Sequence, residues 1–185
     1  MHHSLHVSVA EELQKQIAGR GELIRDPACG GAQHLPLFIG TTKRLDNRMC
    51  DVDLLIISEG RVRVIVEIEE SGFLPTKICG KFLQSAIATH FIHDSRPEPV
   101  VPYNNRVLFV QVLDGSRILK QGTRKGEQGK LIEQKIRSLL PLKGSSITDY
   151  CLFFVMGDND RAGLEAASTA VLNALIQQSF KTAHL

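Results

Sequence analysis

The chain has 185 residues, of which 43% are hydrophobic and 23% charged, with a formal net charge of +2. That length suits one domain with a full hydrophobic core. The near-neutral balance excludes a globally basic nucleic-acid coat, so any such partner must meet a local patch. No apolar run approaches the length of a membrane span. The four cysteines (29, 50, 79 and 151) show no CxxC spacing. Without a signal peptide they predict reduced thiols in a cytoplasmic protein.

Leu5, Val9, Leu13 and Ile17 recur at helical spacing and predict a helix over 4–19, ended by Gly19 and Gly21. Ser8 with Glu11 could form a capping box and start it later. DPACGGAQH (26–34) reads as a loop, and nothing stands at zinc spacing from Cys29 or His34. LPLFIGT (35–41) predicts a strand that Pro36 confines to an edge. Lys43, Arg44 and Arg48 follow, either as a solvated loop or as a basic one that could hold a phosphate backbone.

Residues 50–70, CDVDLLIISEGRVRVIVEIEE, predict a β-hairpin. Leu54–Ile57 is a short apolar run and Glu59-Gly60 a turn signal. From Arg61 to Glu69 the residues alternate, with Val62, Val64, Val66 and Ile68 on one face. A three-residue loop, Glu59-Gly60-Arg61, with Gly60 left-handed, sets Asp53 opposite Glu67 and Asp51 opposite Glu69. A two-residue loop splits these acids instead. Paired carboxylates repel unless a cation lies between them, and an oxygen cluster suits Mg²⁺. Charged strand ends that merely solubilise are the alternative.

Ser71-Gly72 breaks the strand, and Pro75 opens a helix expected to run to about His93. Ile78, Phe82, Ala86 and Ile87 form its apolar stripe, with Lys77, Lys81 and Gln84 on neighbouring turns. His90 and His93 are expected at its exposed end. RPEPVVP (96–102) is a loop. VLFVQVL (107–113) reads as a fully apolar strand inside a covered sheet. Residues 114–130 are polar, with Arg117, Lys120, Arg124, Lys125 and Lys130, and predict a flexible loop, DNA-contacting or plain. A helix over 128–140, a strand over 150–156 and a helix over 161–180 complete the chain. Asp158-Asn159-Asp160 precedes the last helix as a cap. This alternation predicts an α/β sandwich.

Asp53 followed by Leu-Leu-Ile-Ile, with Glu67-Ile-Glu69 closing the next strand, resembles the active-site core of the PD-(D/E)xK nucleases. These include type II restriction endonucleases and Holliday-junction resolvases. No proline precedes Asp53, and Glu69 stands at the lysine position, an ExE variant. The resemblance covers roughly residues 5–113. It implies a three-layer α/β sandwich with a central mixed sheet, a restriction endonuclease-like αβββαβ core and a C-terminal αβα. It implies a homodimeric DNA endonuclease in which Asp53, Glu67 and the Ile68 carbonyl hold Mg²⁺, or Mn²⁺ as substitute. Glu69 would be a third ligand or would orient the attacking water, and Asp51 is the fallback in a shifted register. Lys81 would stabilise the transition state. Lys43, Arg44, Lys77, Gln84, Arg124 and Lys125 would bind substrate, and Glu11 or Glu12 would lend an acid from the first helix. A protein keeping this fold as an inactive DNA-binding or assembly subunit is the alternative that the missing lysine supports. Separately, Asp158-Asn159-Asp160-Arg161-Ala162-Gly163 resembles the DxD motif of Toprim domains, in which Glu67 would be the partner acid of an Mg²⁺-dependent phosphotransferase or nuclease.

Overall fold

The structure is a computed structural model that describes residues 4–119 and 123–182. Eight strands form one mixed sheet, covered by helices on both faces in a three-layer α/β sandwich. The strands are β1 (Glu22–Arg25), β2 (Leu35–Phe38), β3 (Arg48–Val52), β4 (Leu54–Ser58), β5 (Arg61–Glu69), β6 (His90–Ile92), β7 (Val100–Asp114) and β8 (Ile147–Val155). The helices are α1 (Ser4–Gln16), α2 (Pro75–Ile87), the single turn α3 (Gly115–Ile118), α4 (Lys125–Leu139) and α5 (Arg161–Thr182).

Strands β1, β4, β5, β7 and β8 lie side by side, antiparallel as far as β5 and parallel from β5 to β8. The long strand β7 also pairs through its first residues with β6, which leads on to β2 and β3. Helices α1 and α5 pack on one face, over Leu54, Ile56, Val64, Val66, Leu108, Val110 and Val112. Helices α2 and α4 pack on the other, over Leu55, Ile65, Phe109 and Tyr150. Burial on both faces explains why β4 and the middle of β5 and β7 read as nearly continuous apolar runs. On the α2 side Phe82 meets Phe109 and Tyr150 edge-on, with ring centroids 5.7 and 5.5 Å apart. Truncating such a ring to alanine costs about 3–5 kcal/mol.

The hairpin forms by a different route from the expected one. Ser58 pairs with Arg61, so the loop is the two-residue Glu59-Gly60, with φ of 54° and 68°. Two successive left-handed residues match the twist of a tight hairpin, which is why glycine takes the second place. One residue is then added within β5: Ile57 pairs with Val62 but Ile56 with Val64, which leaves Arg63 as a bulge. Arg63 is buried and ion-paired to Glu59. The bulge moves Val62 to the α2 face, while Val64, Val66 and Ile68 stay on the α1 face. The expected single apolar face from Val62 to Ile68 is therefore broken at Arg63.

Other boundaries shift for local reasons. Helix α2 stops at Ile87, because Ala88 turns extended and His90 enters β6 against Pro102. His90 and His93 are therefore not a helix end. Pro36 is not on an edge strand: β2 lies between β3 and β6. The short β6 reaches only Leu37 and Phe38, so the missing N–H of Pro36 breaks no ladder there. The 96–102 loop closes into β7 at Val100. Within 114–130, residues 115–118 and 125–130 are helical, and Lys120 lies outside the described residues. Among the described residues no helix is long and apolar enough to cross a membrane.

Candidate metal centre

The C-terminal ends of β5, β7 and β8 share one edge of the sheet, and acidic residues collect there. Extending the β4–β5 register one step past Leu54 and Val66 places Asp53 across from Glu67. The expected pairing thus holds, through the Arg63 bulge rather than a three-residue loop. Glu67 is only 4% exposed. Its Oε2 accepts a hydrogen bond from Lys81 Nζ at 2.5 Å, and its Oε1 has no donor and can bond to the neighbouring Asp53 only by sharing a proton. Asp53 Oδ2 accepts the backbone N–H of Ile68 at 2.6 Å.

Burial, and then the Asp53 charge, push Glu67 well above the usual carboxylate range, and Lys81 only partly offsets them. Burial likewise raises Asp53, against the pull of the Ile68 N–H and nearby cations. Burial disfavours the Lys81 ammonium, but the Glu67 charge and hydrogen bond outweigh it and keep the lysine cationic. Helix α2 makes this reach possible. Pro75 starts it, and Ile78 and Phe82 bury its inner face, so that Lys77 and Lys81 project toward the end of β5. Lys77 pairs with Glu69. Glu69 also accepts the Ser71 N–H at 2.8 Å and the Ser71 hydroxyl. Burial opposes the Glu69 charge, but these partners prevail and hold it below the usual range. Its oxygens are spent on Lys77 and Ser71.

Asp51 does not face Glu69. It lies in β3, opposite Pro36, and pairs with Arg48. The chain leaves β3 at Asp53 and enters β4 with a new partner, so the two acids belong to different halves of the sheet. Nor do Glu11 and Glu12 reach the pair. Glu12 accepts from Gln16 and lies 3.6 Å from Lys15. Both line a cleft of about 380 Å³ between α1 and the start of α5, with Asp158, Arg161 and Glu165.

From α1 the residue that reaches the acids is His6. Its Nδ1 lies 2.9 Å from Glu70 Oε1 and its Nε2 3.8 Å from Asp53 Oδ2. Glu70 Oε1 also accepts the backbone N–H groups of Leu5 and His6, at 3.0 and 3.2 Å. The carboxylate thus caps the open N-terminus of α1 from another element. These bonds outweigh burial and hold Glu70 below the usual carboxylate range. Sequence reading missed this pair, because more than 60 residues separate its members.

The proposed substrate contacts scatter. Gln84 is exposed one turn beyond Lys81 on α2. Lys43 pairs with Asp94 and Arg44 with Asp46, both in the open. Arg124 and Lys125 stand at the start of α4. Among the described residues no contact joins Lys43, Arg44, Arg124 or Lys125 to the acid pair. Asp160 caps α5: Met156 and Gly163 donate backbone N–H bonds to its two oxygens, at 2.8 and 3.1 Å. A Cβ on Gly163 would meet Asp160 Oδ2 at 2.5 Å, so this cap demands the glycine. Asp158 accepts from the Asn159 side chain. Glu67 is engaged by Asp53 and Lys81 and by neither of these residues.

Among the described residues no group of three or more His, Cys, Asp or Glu is arranged to hold a metal ion. Asp53 and Glu67 nevertheless suit a small hard cation. Both are oxygen donors, one oxygen is buried without a donor, and the Asp53 charge adds to the cost of ionising Glu67. Mg²⁺ commonly takes one or two protein carboxylates and completes its shell with water and substrate phosphate. No protein-family model, curated protein or solved structure matches the chain.

Proposed function

We propose that the protein is a metal-dependent DNA endonuclease that hydrolyses phosphodiester bonds, a PD-(D/E)xK-like site whose lysine comes from the helix after the motif. The observation that carries this reading is that Glu67 Oε1 lacks a donor beside Asp53, with Lys81 bonded to the other oxygen. A buried, unsatisfied carboxylate oxygen is costly, and a bound cation removes the cost.

Asp53 and Glu67, with the Ile68 carbonyl, would hold Mg²⁺, with Mn²⁺ as substitute. When bound, the ion lowers the pKa of a coordinated water and neutralises phosphate charge. The Ile68 N–H fixes Asp53 Oδ2 and leaves its other oxygen for the ion. Lys81 stays cationic and would stabilise the charge that grows on the scissile phosphate. The attacking water gives a proton to solvent as its oxygen bonds to phosphorus, one P–O ester bond breaks, and the leaving alkoxide takes a proton from solvent. Lys77, freed from Glu69, would bind an adjacent phosphate, and Glu69 would then orient water. Lys43, Arg44, Gln84, Arg124 and Lys125 would hold the DNA backbone farther out. The surface ion pairs of Lys43 and Arg44 are weak enough to exchange for phosphate. A homodimer would cut both strands.

A second reading has its own support. Lys81 and Lys77 already pair with Glu67 and Glu69, an arrangement that also suits an inactive DNA-binding subunit. Cleavage of supercoiled plasmid and of branched DNA with Mg²⁺ or Mn²⁺ decides between them. Cutting by wild type, lost in Asp53→Ala and Glu67→Ala and kept in Asp158→Ala, is the expected result. DNA binding without cutting on any substrate would select the inactive subunit, and loss in Asp158→Ala with Asp53→Ala active would move the site to β8.

A further inference from the structure

We propose that Gln111 is a substrate-binding residue of this site, aimed by Tyr150, which serves as a positioning residue; this rests on the nuclease reading. Gln111 interrupts the otherwise apolar run of β7 and is 3% exposed. It lies in parallel register with Glu67 of β5, so both side chains leave the sheet on the α2 face. With Glu67, Glu69, Lys77 and Lys81 it lines the narrow cleft at the end of β5.

A buried carboxamide offers one acceptor oxygen and two N–H donors. The acceptor is taken, because the Tyr150 hydroxyl donates to Gln111 Oε1 at 2.5 Å. Burial pushes the Tyr150 hydroxyl far above its ordinary pKa, so the phenol keeps the proton it donates. With Oε1 facing the Tyr150 hydroxyl, the amide nitrogen turns away from that ring. The Tyr150 bond uses only the amide oxygen, and the nitrogen does not serve Glu67, whose Oε1 lacks a donor. The pocket Gln111 shares with Lys81 has a volume of about 10 Å³, so a donor of this kind suits a single anionic oxygen reaching in from a phosphate. Phe82 and Phe109 pack against the Tyr150 ring and hold it in place.

The test uses full-length protein and a labelled DNA duplex in two assays. Binding is read with Ca²⁺, another hard oxygen-seeking ion, and cutting with Mg²⁺. Gln111→Ala is expected to weaken binding and slow cutting by about tenfold or more, the loss of one hydrogen bond to a charged group. Tyr150→Phe is expected to lose less, and to add nothing in the Gln111→Ala background. A merely structural role would not alter the response to sulfur placed at one non-bridging oxygen of each phosphate. Sulfur accepts hydrogen bonds poorly, so it should slow wild type more than Gln111→Ala. Unchanged binding and cutting by Gln111→Ala, or additive effects of the two substitutions, would overturn the proposal. Wild type that binds but does not cut would sink the nuclease reading alone, leaving Gln111 to be decided by the binding loss. Wild type that neither binds nor cuts would overturn both.

Discussion

Two acidic clusters sit on the same edge of the sheet, and they have opposite characters. At the end of β8, Asp160 is half-buried and both its oxygens accept backbone N–H groups that cap α5. Those bonds lower its pKa, and its charge is at rest. At the end of β5, Glu67 is buried and Asp53 half-buried, both are raised, and one oxygen lacks a donor. The number of carboxylates does not separate a cap from a candidate metal site. What separates them is whether the chain's own donors have already satisfied the oxygens.

Breaking each cluster should give different results. The largest effect is expected at β5: Glu67→Ala or Asp53→Ala should reduce Mg²⁺-dependent cutting to background while the fold persists by circular dichroism. Removing the Lys81 charge with Lys81→Met should slow cutting by about 10²–10³, the usual loss for a group that stabilises transition-state charge. Normal cutting by Lys81→Met would instead assign that role elsewhere.

A third test reads pH. Raised carboxyl groups bind more protons in the folded state than in the unfolded one. Between the ordinary carboxylate range and their raised values, stability therefore falls as pH rises. Glu67→Gln removes the larger contribution, so in metal-free buffer it should melt above wild type at pH 8 and close to wild type at pH 4. A melting point that tracks wild type across this range would mean that Glu67 ionises without cost. Glu70→Gln weakens the carboxylate that receives the α1 N-terminus and should cost about 1–3 kcal/mol in urea denaturation. The smallest effect belongs to Asp160→Ala, about 1 kcal/mol for a lost helix cap, with cutting unchanged.

The layered α/β class was legible because it follows from local patterns of apolar runs and turn signals, whereas the Asp53–Glu67 pairing holds although the three-residue loop that predicted it does not form. Lys77 and Lys81 were legible from helical spacing. The rest depended on distant neighbours. The extra residue that sets the register is Arg63, hidden within an alternating run that looked regular. The short strands β1 and β6 carry too few residues to show a period, and β3 merged with the hairpin. His6 meets Glu70 only because α1 docks across the end of β5. Gln111 did leave a signal, one amide inside an apolar strand, and reading that run as fully apolar passed over it.

The most direct test of the central claim is cation binding without DNA. Titration of Mn²⁺, followed by its paramagnetic resonance, needs only the folded protein. Wild type should bind Mn²⁺ at a site that Glu67→Gln abolishes and Asp160→Asn leaves intact. Binding that survives Glu67→Gln, or no binding by wild type, would contradict the assignment of Asp53 and Glu67 as the metal centre.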